Sequence, residues 1–140
     1  MSTWDEWFED VWDALVTKVK TVTEFGEKVY YGKKASVDQF PAAYVCPHDA
    51  SSEPYTMQLE DLWKPVFVIY VVLEDPDTKA GVIAVWKLAG KIIEAIKTDR
   101  SLGGLLHTSQ VVSVLDSPEG LGEGMEQHWV SLTILCQRKI

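Results

Sequence analysis

Residues 55–73 read "YTMQLEDLWKPVFVIYVVL", and the two halves of this stretch have different periods. In the first half Tyr55, Met57, Leu59 and Trp63 fall against Thr56, Gln58 and Glu60, the alternation of a strand with one wet face. From Val66 to Leu73 the residues are apolar at every position and rich in β-branched types, which predicts a strand buried on both faces. Nineteen residues at ~3.3 Å each would extend roughly 60 Å. A compact chain of this length is only about 37 Å across. The strand therefore breaks near Lys64–Pro65, or its first half projects as a hairpin arm with the preceding strand. Either way residues 45–62 come to an edge, and an exposed strand edge is usually covered, one solution being a neighbouring subunit.

Outward from this stretch the pattern changes to helical on both sides. Residues 2–20 place Trp4, Phe8, Val11, Trp12, Leu15 and Val19 at spacings of three and four, one apolar stripe with Glu6, Glu9, Asp10 and Asp13 opposite. Trp7 falls near the edge of that stripe and is expected at the surface. The segment 21–39 reads as a loop with a short strand around "KVYY". "FPAAYVC", 40–46, is a strand candidate, and "PHDASSEP", 47–54, is a loop rich in turn formers. After the central stretch, "DPDT", 75–78, opens a second helix capped by Asp75, Asp77 or Thr78 and running to about Lys97. Its expected buried stripe is Val82, Val85, Trp86, Ala89, Ile92, Ile93 and Ile96. Gly90 interrupts this helix at about 1 kcal/mol unless something packs closely there. "HTSQVVSVL", 107–115, reads as a strand, "DSPEGLGEG", 116–124, as a loop, and residues 128–137 alternate as a half-buried hairpin strand. The fold class is α+β: a mostly antiparallel sheet flanked by two helices, in one domain covering residues 1–140.

The totals narrow the function. A formal net charge of −8 argues against binding nucleic acid by counterion release. No stretch approaches the ~20 apolar residues of a membrane span. The acidic, aromatic N-terminus is unlike a signal peptide, so the expected product is cytoplasmic. Cys46 and Cys136 are far apart and fit no metal spacing; a disulfide between them is possible but not indicated. Catalytic patterns do not emerge. There is no phosphate-binding glycine loop, no GxSxG and no HExxH. His48 in "CPHD" lacks further ligands at useful spacing. His107 and His128 could face each other on the last two strands. No cofactor or metal is expected.

The motif "TDRSLGGLL", 98–106, sits between the second helix and the following strand. One glycine, Gly103 or Gly104, suits a positive φ where the chain leaves the helix, and Leu102 suits the hydrophobic contact of such a cap. Arg100 and the second glycine exceed what a turn needs. The guanidinium of Arg100 offers a rigid fork for a carboxylate.

The N-terminal amphipathic helix, "FPAAYV" on an early strand, the long apolar strand ending in acidic residues, a helix closing in "TDRSLGG" and a last hairpin together resemble the tail terminator (tail completion) proteins of long-tailed bacteriophages and related tail-like particles. The resemblance spans roughly Val11 to Cys136. It implies a ring, usually a hexamer, that caps the tail tube, stops its polymerisation and presents a surface to the head connector. The implied partners are other copies of the chain, the tail tube protein and the head connector or completion protein. DNA would pass through the lumen without specific binding. No catalysis, cofactor or membrane is implied, and the implied location is the virion after synthesis in the host cytoplasm. The segment "VTKVKTVTEFGEKVYYGKKASVDQ" is longer than such a fold needs. Expected contact residues are Arg100, Leu102, Gly103, Gly104, Tyr55, Met57, Leu59, Trp63 and Trp7. Two alternatives stand beside this reading: a head-completion protein of the same neck, and a small ligand-binding domain or enzyme with a pocket near His107, His128 and residues 116–125.

Overall fold

The computed structural model describes residues 4–32, 39–50, 65–116 and 127–138. Along the chain these form α1 (Trp4–Lys20), β1 (Val29–Tyr31), β2 (Ala42–Ala50), β3 (Pro65–Glu74), α2 (Thr78–Thr98), β4 (Leu106–Asp116) and β5 (Gln127–Arg138). The five strands make one sheet in the order β1-β2-β3-β5-β4. Only β1 runs parallel to its neighbour; the β2–β3, β3–β5 and β4–β5 pairs are antiparallel. The fold is α+β, as its periodicities predict.

β3 lies at the centre because it is the segment that is apolar on both faces. Phe67, Ile69, Val71 and Leu73 enter the main core beneath the helices. Val68 and Val72 are buried on the opposite face, where Val72 joins Ala42, Tyr44 and Trp129 in a smaller cluster. Tyr44 is stacked between Tyr30 and Trp129, with ring centroids 5.5 Å and 6.1 Å away. Each buried aliphatic or aromatic side chain of this kind stabilises the fold by on the order of 2 kcal/mol.

β2 is longer than its sequence suggests. Residues 47–50, expected in a loop, continue the strand opposite Pro65–Phe67, with a bulge between Pro47 and Asp49. Proline gives the ladder no N–H, and the extra residue of a bulge lets pairing resume beyond it. The projecting-arm expectation for residues 45–62 rests mainly on 51–62, which lie outside the described residues, as do Tyr55, Met57, Leu59 and Trp63.

Both helices are rotated slightly from the expected stripes. On α1 the buried residues are Trp7, Val11, Leu15, Val16 and Val19, while Phe8 and Trp12 are half-buried. Trp7 is therefore not a surface residue: it is 5% exposed, and its indole N–H donates to the Leu105 carbonyl at 2.9 Å. The turn after α2 folds back over this flank of α1 and covers a side chain that a helical wheel alone leaves at the margin. On α2 the buried line is Gly81, Val85, Leu88, Ala89, Ile92 and Ile96. Trp86 points away from it and is 40% exposed. Asp77 is the N-cap, accepting from the Ala80 N–H at 3.0 Å. A Cβ added at Gly90 would meet nothing within 4 Å, whereas one added at Gly81 would meet the His128 ring at 2.1 Å. Gly81 is the glycine that packing requires.

Candidate functional site

The 98–106 corner is built almost wholly from its own atoms. Asp99 ends α2, and its backbone N–H donates to the Ile96 carbonyl at 3.2 Å. Its carboxylate accepts from the Gly103 N–H at 2.8 Å and from the Ser101 hydroxyl at 3.0 Å, with Lys18 of α1 3.8 Å away. The Ser101 hydrogen bond is the main cause holding the Asp99 carboxyl below its ordinary range, helped by Gly103 and Lys18 against some desolvation. The Leu106 N–H donates to the Ser101 carbonyl at 2.9 Å. Leu102 takes φ 50°, Gly103 71° and Gly104 92°. Three successive residues with positive φ explain both glycines, since only glycine takes that region without strain. The second glycine, read from sequence as surplus to a turn, is a backbone requirement. Leu102 is buried, as its capping role predicts.

Arg100 leaves this corner toward β4. One guanidinium N–H donates to the Ser109 carbonyl at 3.3 Å, and the buried Ser109 hydroxyl donates back to the Arg100 carbonyl at 2.8 Å. The long, single bond from the guanidinium leaves most of its five donors directed elsewhere.

Arg100 stands at one end of a groove of about 530 Å³ between α2 and β4, lined by Ile93, Ile96, Lys97, Arg100 and residues 110–114. β4 is the last strand of the sheet. A bulge at Val112 interrupts its pairing with β5, and Val112 is 49% exposed. At the other edge, Tyr31 of β1 is 54% exposed. Its ring meets Trp12 edge-on at 5.5 Å, and its hydroxyl donates to Asp13 at 2.8 Å. That hydrogen bond, with desolvation and the charges of Asp13 and Glu9, raises the Tyr31 pKa above its ordinary value. Trp12 is fixed in turn by its N–H to the Val45 carbonyl at 2.9 Å. Sequence reasoning missed this edge; the signal available was the pair Tyr30–Tyr31 in a strand short enough to be an edge. A second groove, of about 690 Å³, lies between residues 21–24 and α2 and is bridged by the Lys91–Glu24 ion pair.

The histidines do not converge. His107 lies at the start of β4, next to the residues that pair with Gln137 and Arg138, whereas His128 pairs with Leu73 at the start of β5. The antiparallel register puts them at opposite ends of the last hairpin. His128 is buried, with Nε2 3.0 Å from the Asp75 carbonyl, and residues 117–126 lie outside the described residues. Among the described residues no cluster of three or more His, Cys, Asp or Glu could hold a metal. No described helix is long and apolar enough to cross a membrane. Cys46 and Cys136 are both thiols, and burial pushes Cys136 up to about 12.

No protein-family model matches the chain, and no curated protein matches its sequence. Solved structures do share its fold. A chain of the virion of a native gene transfer agent particle superposes with a TM-score of 0.52 at 11% identity, over 91% of this chain and 93% of that one. A second solved structure, identified only by a sequence number, superposes with a TM-score of 0.51 at 15% identity, over 100% of this chain and 98% of that one. At these identities the likeness is one of fold.

Proposed function

We propose that this chain is a structural component of a phage-like particle: a ring-forming tail terminator that caps the tail tube, halts its polymerisation and provides the joining surface for the head. The observation that carries the reading is the fold shared end to end with a virion chain. It agrees with the element order and the "TDRSLGG" corner, which resemble tail terminators. The role is one of assembly rather than catalysis, and its partners are other copies of the chain, the tube protein and the head connector. A net charge of −8 suits a lumen through which DNA slides without adhering.

The test is electron microscopy and native mass measurement of the purified protein, alone and with tail tubes of the same particle. Rings, or tubes closed at one end by this protein, are the expected result. A chain that stays monomeric and leaves tube ends bare and growing refutes the reading.

A further inference from the structure

The two outer edges of the sheet are chemically unlike. Beside β4, the groove under α2 has apolar walls from Ile93, Val112 and Val114 and two cations, Lys97 and Arg100. No carboxylate is among its described lining residues, in a chain with 21 acidic and 13 basic residues. Lys97 has one partner nearby, Glu94 one turn back at 3.9 Å, a solvent-exposed pair of little strength. Beside β1, Tyr31 stands out as an exposed aromatic ring with the exposed carboxylates Glu9 and Asp13 around it. Among the described residues, one edge offers an aromatic knob with acidic flanks; the other offers an apolar groove with two cations in its lining.

We propose that the Tyr31 edge of one copy seats in the α2–β4 groove of the next, with Glu9 and Asp13 facing Lys97 and Arg100. This rests on the assembly reading above only in taking the occupant to be a second copy of the chain. Charge complementarity selects that occupant, because the knob and the groove carry opposite charges and both flank the helix-bearing face. β1 and β4 are separated by the full width of a five-stranded sheet, about 19 Å at ~4.8 Å per strand gap. The two patches are therefore distinct, and the contact is head-to-tail rather than two-fold. Repetition of such a contact closes into a ring when its rotation divides the circle. The Val112 bulge breaks the regular ladder that an added strand needs, so the contact is made by side chains in the groove. Arg100 contributes a planar fork suited to a carboxylate.

The experiment uses two charge-reversed forms of the full chain. One carries Lys97→Glu and Arg100→Glu, and the other Glu9→Lys and Asp13→Lys. Each is measured alone and mixed in equal amounts by sedimentation velocity and native mass spectrometry. Lys97→Glu alone serves as a milder groove variant, since Lys97 is exposed and its change leaves the Arg100–Ser109 contact intact. Circular dichroism checks that each variant is folded. The wild-type chain should associate in a salt-sensitive way. Each reversed form should associate at least about tenfold more weakly, since like charges then face each other. The mixture should regain association as complexes with equal numbers of the two forms. If the wild type associates and the reversed forms associate equally well, or if the mixture regains nothing, this pairing of edges is wrong although assembly stands. A wild type that remains monomeric at millimolar concentration and low salt overturns the pairing, while the assembly reading is then decided by whether the protein closes tail tubes.

Discussion

Replacement of Gly81 by alanine tests whether the start of α2 is fitted to the β5 histidine. In an ordinary helix interior this change stabilises by up to about 1 kcal/mol. Here the new methyl would lie 2.1 Å from Cδ2 and 2.2 Å from Nε2 of His128. The ring has little freedom to yield. It is 8% exposed, and because a carbonyl only accepts, Nε2–H must donate to Asp75 across the 3.0 Å contact. Displacing it adds an overpacking term of about 1–3 kcal/mol and loss of the hydrogen bond, about 1 kcal/mol. The net expectation is a loss of about 1–3 kcal/mol, visible as a lower urea midpoint with unchanged slope and a fall in Tm of roughly 4 °C per kcal/mol. In a His128→Ala background the obstacle is gone and only the helix preference remains, so Gly81→Ala should there stabilise by up to about 1 kcal/mol. Wild-type stability or better for Gly81→Ala, or an equal loss in both backgrounds, would refute the reasoning.

Trp7→Phe keeps most of the buried area but removes the donor to Leu105; a loss of about 1 kcal/mol in urea unfolding is expected, against about 3–5 kcal/mol for Trp7→Ala. Because the folded-state Asp99 carboxyl is lowered, its contribution is present above the unfolded value of about 3.9 and is lost as pH falls through the folded value. The stability gap between wild type and Asp99→Asn should therefore be open at neutral pH and narrow as the solution is acidified below about 3.9, and a gap that does not narrow speaks against the carboxylate's role in the corner. Cys136, pushed up to about 12 by burial, should react with a thiol reagent at pH 8 only as fast as the chain unfolds, well after the half-buried Cys46; prompt labelling of both would show that the core near Cys136 is open.

The physical origin of the knob and groove explains why they could not be read from the chain. Tyr31 becomes exposed because nothing described pairs with the outer side of β1, and its neighbours Glu9 and Asp13 come from a helix some twenty residues away along the chain. Lys97, which reads as part of a solvated helix face, acquires Val112 and Val114 as neighbours only when β4 takes the end of the sheet. Trp7 and Trp86 exchange their expected places for the same reason. Helical spacing fixes which residues share a side but not where along that side the next element lands, and here the 99–105 turn lands on Trp7 while leaving Trp86 in solvent.

Local chemistry was enough for the elements themselves. The unbroken apolar run from Val66 to Leu73 could be buried only on both faces, so it had to lie inside the sheet, and the three-and-four spacing of α1 and α2 could bury only one side of each. The acids that cap α2 and the glycines that end it act within a few residues, and sequence neighbours suffice to read them. Strand order, the bulges between Pro47 and Asp49 and at Val112, the separation of the histidines and the fit of Gly81 to His128 depend on contacts between residues distant in the chain. Those are set when the strands choose partners, and that choice is made by the burial of the whole sheet rather than by any one segment.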